Sequence, residues 1–151
     1  MSSFVFDGPF DGPPADENNQ ITSQIIDEEG LCEKPWVCEH RWKPIVEMIK
    51  FRNVVGTAWV QNWWDNDSNQ IAFSRGNRGF IAFNGQYGVD MSQRLQTGLA
   101  AGTYCDIATG VKSGSSCTGG SVTVGSDGFA NIFLSSQVAE GFIAIHVDSK
   151  L

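Results

Sequence analysis

The sequence has no apolar run near the roughly 18 residues that carry a helix across a membrane, and no basic-then-apolar leader opens it. It is also short of positive charge. Ten Lys and Arg stand against 17 Asp and Glu, with two His, for a formal net charge of −7. A protein that tracks phosphates or sits on an anionic membrane needs the opposite balance, so nucleic acid and membrane are excluded as partners. Uncharged ligands such as sugars are not. Chemical motifs are equally scarce. There is no Cys-x-x-Cys and no Gly-rich phosphate loop opening a helix. His40 and His146 fall in no metal-ligand or Ser-His-Asp pattern, and no pair of carboxylates is singled out by a motif. From Asp65 the chain looks briefly like a calcium loop. Gln70 then stands where that loop requires its turn Gly, and Gly76 where it requires the bidentate Glu, so calcium is rejected there. The residues alone point to a non-catalytic chain that binds no cofactor.

What is present organises around Asn62 to Phe83. Two short β-rich runs, Ile71 to Phe73 and Phe80 to Phe83, flank Arg75-Gly76-Asn77-Arg78-Gly79. Gly and Asn accept the positive φ of tight turns, so the stretch reads as a hairpin. Further strands are expected at 58–64, 91–96, 102–108, 120–125, 129–135 and 142–148. Alternation is clearest in Val122/Val124, Ala130/Ile132/Leu134 and Ile143/Ile145/Val147. Short strands at this spacing predict an antiparallel sandwich or barrel. The tandem Trp63-Trp64 is placed to cap one end of its core or to stack on sugar rings. A hydrophobic content of 41% with 18% charged residues fits a globular chain long enough for one modest core.

Before the strands, Trp42, Ile45, Val46 and Ile49 fall on one helix face, and this face is expected to pack on something. The helix should begin near His40 or Arg41, with Pro44 tolerated in its first turn, and end at about Val55 before Gly56. Residues 1–37 read as irregular, with Phe4-Val5-Phe6 the end of a strand. Asp7 to Asn19 reads as a solvated acidic loop rather than a calcium site. The cysteines lie in two close pairs, Cys32 with Cys38 and Cys105 with Cys117. Four cysteines allow three connectivities, and local pairing is the simplest. Disulfides imply an oxidising compartment, which sits badly with the missing leader and suggests that an upstream part is absent. Asn66-Asp67-Ser68 is a sequon for N-linked glycan on a loop.

Taken together, several motifs carry a specific resemblance. They are Cys38-Glu39-His40-Arg41-Trp42, Phe51-Arg52-Asn53-Val54-Val55, Asn62-Trp63-Trp64-Asp65-Asn66, Asn69-Gln70-Ile71-Ala72-Phe73, Arg75-Gly76-Asn77-Arg78-Gly79-Phe80, Leu95-Gln96-Thr97-Gly98-Leu99, Gly102-Thr103-Tyr104-Cys105-Asp106 and Ile143-Ala144-Ile145-His146. In this order, over essentially the whole chain, they resemble the C-terminal third of animal α-amylases. Met1-Ser2-Ser3-Phe4 resembles a Met-Ser-Ser-Tyr segment on the last barrel strand. The resemblance implies a mainly β fold: an antiparallel Greek-key β-sandwich, preceded by a loop and one amphipathic helix like the last helix of a (β/α)8 barrel. Residues 1–56 would be the remnant of the last strand, loop and helix of the barrel, and 57–151 the all-β domain. It also implies that Cys32/Cys38 and Cys105/Cys117 are bridged, that Asn66 is a glycosylation candidate, and that the protein is secreted. Departures are Pro44 within the helix, Phe4 for Tyr, and a shortened loop near Gly56.

The same resemblance implies what the chain leaves out. A barrel of this kind needs about 250 residues. The family's catalytic carboxylates lie on earlier strands, and its calcium and chloride ligands lie upstream of Met1. Two functions follow as expectations. One is the C-terminal part of a retaining endo-hydrolase of 1,4-α-glucosidic bonds in starch and glycogen, inactive alone, whose partner is the missing barrel. The other is a stand-alone α-glucan-binding module that uses Trp59, Trp63 or Trp64.

Overall fold

The computed structural model describes residues 3–5, 8–138 and 140–151. The chain divides into two compact units, Met1–Val46 and Glu47–Leu151. The first is built from turns and single bridges: Phe4 with Trp36, Ala15 with Ile21, and Ile26 with Cys32. Two of its carboxylates close such turns. Asp16 Oδ1 accepts from the Asn18 and Gln20 N–H groups, and Asp27 Oδ1 accepts from the Leu31 N–H. Phe4 and Trp36 meet edge to face at 6.2 Å. Of the expected first strand, Phe6 lies outside the described residues, as does Asp7 of the acidic loop.

A 3₁₀ turn over Glu39–Arg41 leads into α1, Lys43–Val55. The α-helix starts later than His40 or Arg41, the start the sequence predicts. The cause is Pro44: a helix running from residue 40 would lose a bond at Pro44 and drive the proline ring against the His40 carbonyl. Trp42 is therefore extended, and the first α-helical bond runs from the Val46 N–H to the Trp42 carbonyl.

The second unit holds the strands: β1 Val60–Asp65, β2 Gln70–Arg75, β3 Gly79–Asn84, β4 Met91–Gln96, β5 Gly102–Cys105, β6 Lys112–Ser113, β7 Ser116–Cys117, β8 Ser121–Val124, β9 Phe129–Leu134 and β10 Phe142–His146. One antiparallel sheet runs β1-β2-β3-β10 and a second β4-β9-β8-β5, with β6-β7 a small separate hairpin. Long returns set β10 beside β3 and β9 beside β4, which is Greek-key connection. Between the sheets lies a core of Ala72, Phe80, Ala82, Met91, Leu95, Tyr104, Val122, Val124, Ala130, Ile132, Leu134, Ile143 and Ile145. The alternating residues singled out in β8, β9 and β10 supply much of it. β5 ends earlier than expected, at Cys105, because Asp106 turns the chain. Its carboxylate accepts from the Ala108 and Ala144 N–H groups and from the Thr109 hydroxyl. β10 ends at His146, where a 3₁₀ turn over Val147–Ser149 takes over.

The first sheet is apolar on its other side as well. Ile81, Phe142 and Ala144, with Phe73 and Phe83, form a second cluster that takes in Phe51, Val55 and Met48 of α1. Gly79 permits this seating, since a Cβ there would stand 2.7 Å from Val55 Cγ1 and 2.8 Å from Phe51 Cε2. The expected packing face of α1 is corrected here. Its buried side is Glu47, Phe51 and Val55. Trp42, Ile45 and Ile49 are exposed, at 44%, 39% and 54% of their surface. At about 100° per residue the two sets lie on opposite sides of the helix. α1 is thus apolar on both sides, and among the described residues one side is packed while Ile45 and Ile49 stay exposed on the other.

Candidate functional site

β1 is an edge strand, and its pairing with β2 is irregular. Gln61 lies opposite Ser74 and Trp64 opposite Ala72, so Asn62 and Trp63 share the place of one residue. This is a β-bulge. Asn62 takes its left-handed turn with φ 51°, a conformation that Asn tolerates better than most residues. Its side-chain amide donates to Ser74 Oγ at 2.8 Å, and that hydroxyl donates to the Gln61 carbonyl at 3.2 Å. The extra residue reverses the alternation beyond it. Trp64 turns inward and packs on the core between the sheets. Trp63 turns to the outer side, where its ring stacks on Phe73 with centroids 5.8 Å apart and planes 12° from parallel.

Trp63 is 57% exposed yet held on two counts. Phe73 covers one ring face. The indole Nε1–H donates to Asp65 Oδ2 at 2.6 Å, and Asp65 Oδ1 accepts from the Asp67 N–H at 3.1 Å. The Trp63 donor, then the Asp67 amide, hold the Asp65 carboxyl below its ordinary range. Trp59 is 84% exposed and precedes β1. Trp64, turned into the core, shares no platform with Trp63. Sequence reasoning named Trp63 but missed Phe73 and Asp65, which fix it. The available signal was Asn62, a tolerated left-handed residue directly before two tryptophans.

The loop after β1 is an Asx turn. Asn66 Oδ1 accepts from the Ser68 and Gln70 N–H groups at 3.1 and 3.0 Å, while its Nδ2 donates to Gln86 Oε1 at 2.7 Å. Cys32 is bonded to Cys38 and Cys105 to Cys117, with Cα atoms 5.7 and 5.2 Å apart. His40 is exposed in the 3₁₀ turn. His146 is buried, with its ring 6.3 Å from that of Phe51 and its Nδ1 accepting from the Asp148 N–H. Burial lowers its pKa. The Asp148 and Glu47 carboxylates act in the opposite direction, and the Arg78 guanidinium adds to the lowering.

Three further carboxylates of the second unit serve structure in the same way. Asp90 accepts from Ser136 and Ser135, Asp127 pairs with Arg94, and Glu47 pairs with Lys50 at 2.7 Å. A cavity of about 290 Å3 lined by Val122, Phe133, Leu134 and Phe142 has Asp106 and Glu140 at its margin. Both Asp106 oxygens accept the hydrogen bonds given above, which hold the turn after β5. Among the described residues, no group of three His, Cys, Asp or Glu could hold a metal ion, and no helix is long and apolar enough to cross a membrane.

The whole chain is similar to animal α-amylases. It is 52% identical to the α-amylase of Tenebrio molitor over 151 residues, all of this chain and 32% of that protein. It is 48% identical to the α-amylase of Tribolium castaneum over 151 residues, 30% of that protein. The chain therefore spans about a third of the length of these relatives. Among solved structures, a mutant α-amylase I from Eisenia fetida in complex with maltohexaose superimposes with a TM-score of 0.80 at 36% identity, covering 97% of this chain and 31% of that one. Residues 61–148 match the model of the α-amylase C-terminal all-β domain, and the chain belongs to that family.

Proposed function

We propose that this chain is the non-catalytic C-terminal part of a secreted α-amylase, an endo-hydrolase of 1,4-α-glucosidic bonds in starch and glycogen. The match of residues 61–148 to the C-terminal all-β domain carries the reading. The boundary we propose assigns 1–56 to the end of the catalytic barrel and 57–151 to the β-domain. The catalytic carboxylates and the calcium and chloride ligands belong to the barrel that precedes these residues in the relatives. The second apolar side of α1 supports a barrel that precedes the β-domain. Trp42, Ile45 and Ile49 have the composition of a buried helix face, and the rest of a barrel would cover them. The two disulfides support an oxidising compartment. The Asn66 sequon lies in the half-buried Asx turn after β1, and a glycan there would have to displace the bond from its Nδ2 to Gln86.

The purified chain is expected to release no reducing sugar from soluble starch. Release above a buffer blank, abolished by substituting a carboxylate of this chain, would overturn the reading. The alternative of an α-glucan-binding module is favoured by one observation, the fixed and half-exposed indole of Trp63.

A further inference from the structure

We infer that the outer face of Trp63, with the Asp65 carboxylate beside it, is a one-ring stacking site for a glucosyl unit of an α-1,4-glucan. The ring is flat, apolar and exposed on the side away from Phe73. Such a surface matches the C–H face of a pyranose, and a polar group at its edge fixes orientation. Asp65 is that group. One of its oxygens holds the indole and the other accepts from the Asp67 N–H, and each carboxylate oxygen keeps a further lone pair for a sugar hydroxyl. Stacking and the hydrogen bond set the indole before any ligand arrives, so little freedom remains to be lost on binding.

The surroundings decide among ligands. Asp65 sits at the edge of the ring on a chain of net charge −7, so anionic polymers are repelled while hydroxyl donors are accepted. The edge of β1 does not suit an added strand, because the bulge at Asn62 and its left-handed backbone interrupt the ladder at Trp63 itself. Trp64 lies in the core and Trp59 precedes the strand, so the one ring fixed at this site is that of Trp63. The choice of an α-glucan over other neutral sugars rests on the α-amylase reading above.

The test uses the whole chain labelled with 15N, which carries five tryptophan indoles. Maltoheptaose is titrated in, with cellohexaose as the comparison. The indole signal of Trp63, assigned by its loss in Trp63→Ala, is expected to shift with maltoheptaose, and that of Trp59 to stay. Retention in a glycogen gel should fall about tenfold in Trp63→Ala, the loss of one stacking contact, and not in Trp59→Ala. Asp65→Ala removes no buried side chain and so separates binding from folding. It should weaken retention several-fold while the thermal melt stays put. An unmoved Trp63 signal overturns the site. So does a dimer in sedimentation that Trp63→Ala dissolves. Equal shifts with cellohexaose overturn the α-glucan assignment. None of these outcomes touches the non-catalytic reading, which is judged by sugar release alone.

Discussion

Gly79 offers the sharpest test of how α1 is held. It is a strand residue with an ordinary backbone, so alanine would meet no conformational obstacle. In open surroundings Gly→Ala stabilises a protein by about 0.4–1 kcal/mol, through the unfolded chain. Here the added carbon would stand 2.7 Å from Val55 Cγ1 and 2.8 and 3.0 Å from Phe51 Cε2 and Cζ. Carbon atoms rest at about 3.5–4.0 Å. Val55 and Phe51 are 2% and 4% exposed, so neither can swing into solvent. The helix must lift or the sheet must bend. Overpacking of this kind costs about 1–3 kcal/mol, which exceeds the entropic gain. Gly79→Ala should therefore destabilise by about 1–2 kcal/mol and lower Tm by roughly 2–8 °C. The assay is a urea melt of the single variants and of Gly79→Ala with Val55→Ala. Removing Val55 Cγ1 clears the nearest contact, so the double variant should be more stable than the sum of the singles predicts, by about 1 kcal/mol. A Gly79→Ala protein as stable as the parent, with no coupling to Val55, would refute the seating of α1 on the sheet.

Three further outcomes are expected. His146 has its pKa lowered by burial, so the folded state favours the neutral ring against an ordinary value of 6.5. Below that pH the unfolded chain binds the proton more readily. Stability should thus be complete above about pH 6.5 and fall as the pH drops below it, and His146→Gln should flatten the change between urea melts at pH 7.5 and pH 5. The Cys105–Cys117 bridge closes a loop with a separation of 12, which contributes about 3 kcal/mol in the chain-entropy account. A Cys105→Ala/Cys117→Ala protein should lose about that much, whereas an unchanged urea midpoint would set aside the bridge as a support. Ile45→Glu with Ile49→Glu should leave Tm within about 2 °C, because both side chains face water, and should reduce binding of the dye ANS. A large loss of Tm would mean that these residues are packed within the chain.

Much of the β-domain was legible because one face of each sheet is buried against the other. Val122/Val124, Ala130/Ile132/Leu134 and Ile143/Ile145 alternate for that reason, and all are core residues. The hairpin of β2 and β3 was legible from Gly76 and Asn77. Other features were hidden by physics that periodicity does not carry. Counting apolar positions found the Trp42/Ile45/Val46/Ile49 side of α1 because it is the more hydrophobic one. The packed side contains a charged residue, Glu47, buried with its Lys50 partner, and Phe51 and Val55 read as isolated. In β1 a period of two has no means of placing a bulge. One extra residue decides which tryptophan enters the core, and its only trace in the sequence is the tolerance of Asn62 for a left-handed backbone. β6 and β7 are two residues each, too short for any pattern to register.

The two sides of α1 also explain how one segment can serve two bodies. Phe51, Val55 and Met48 tie the second half of the helix to the sandwich, and Gly79 lets it approach closely. The Arg78 guanidinium extends that tie, donating to the Val54 carbonyl at 2.9 Å, and the Val147 N–H donates to the Arg78 carbonyl at 3.0 Å. The helix C-terminus, the β2–β3 turn and the end of β10 are thereby linked in one hydrogen-bonded network. A helix so fastened along one side still exposes Ile49 on its other side. Covering exposed Trp, Ile and Ile side chains is worth several kcal/mol, of the order of 1.5–3 kcal/mol for each aliphatic side chain fully buried. A body that covers Trp42, Ile45 and Ile49 would therefore be held to α1 with no need for a large second interface. This is the physical content of a supporting domain, and it depends on α1 keeping both of its apolar sides.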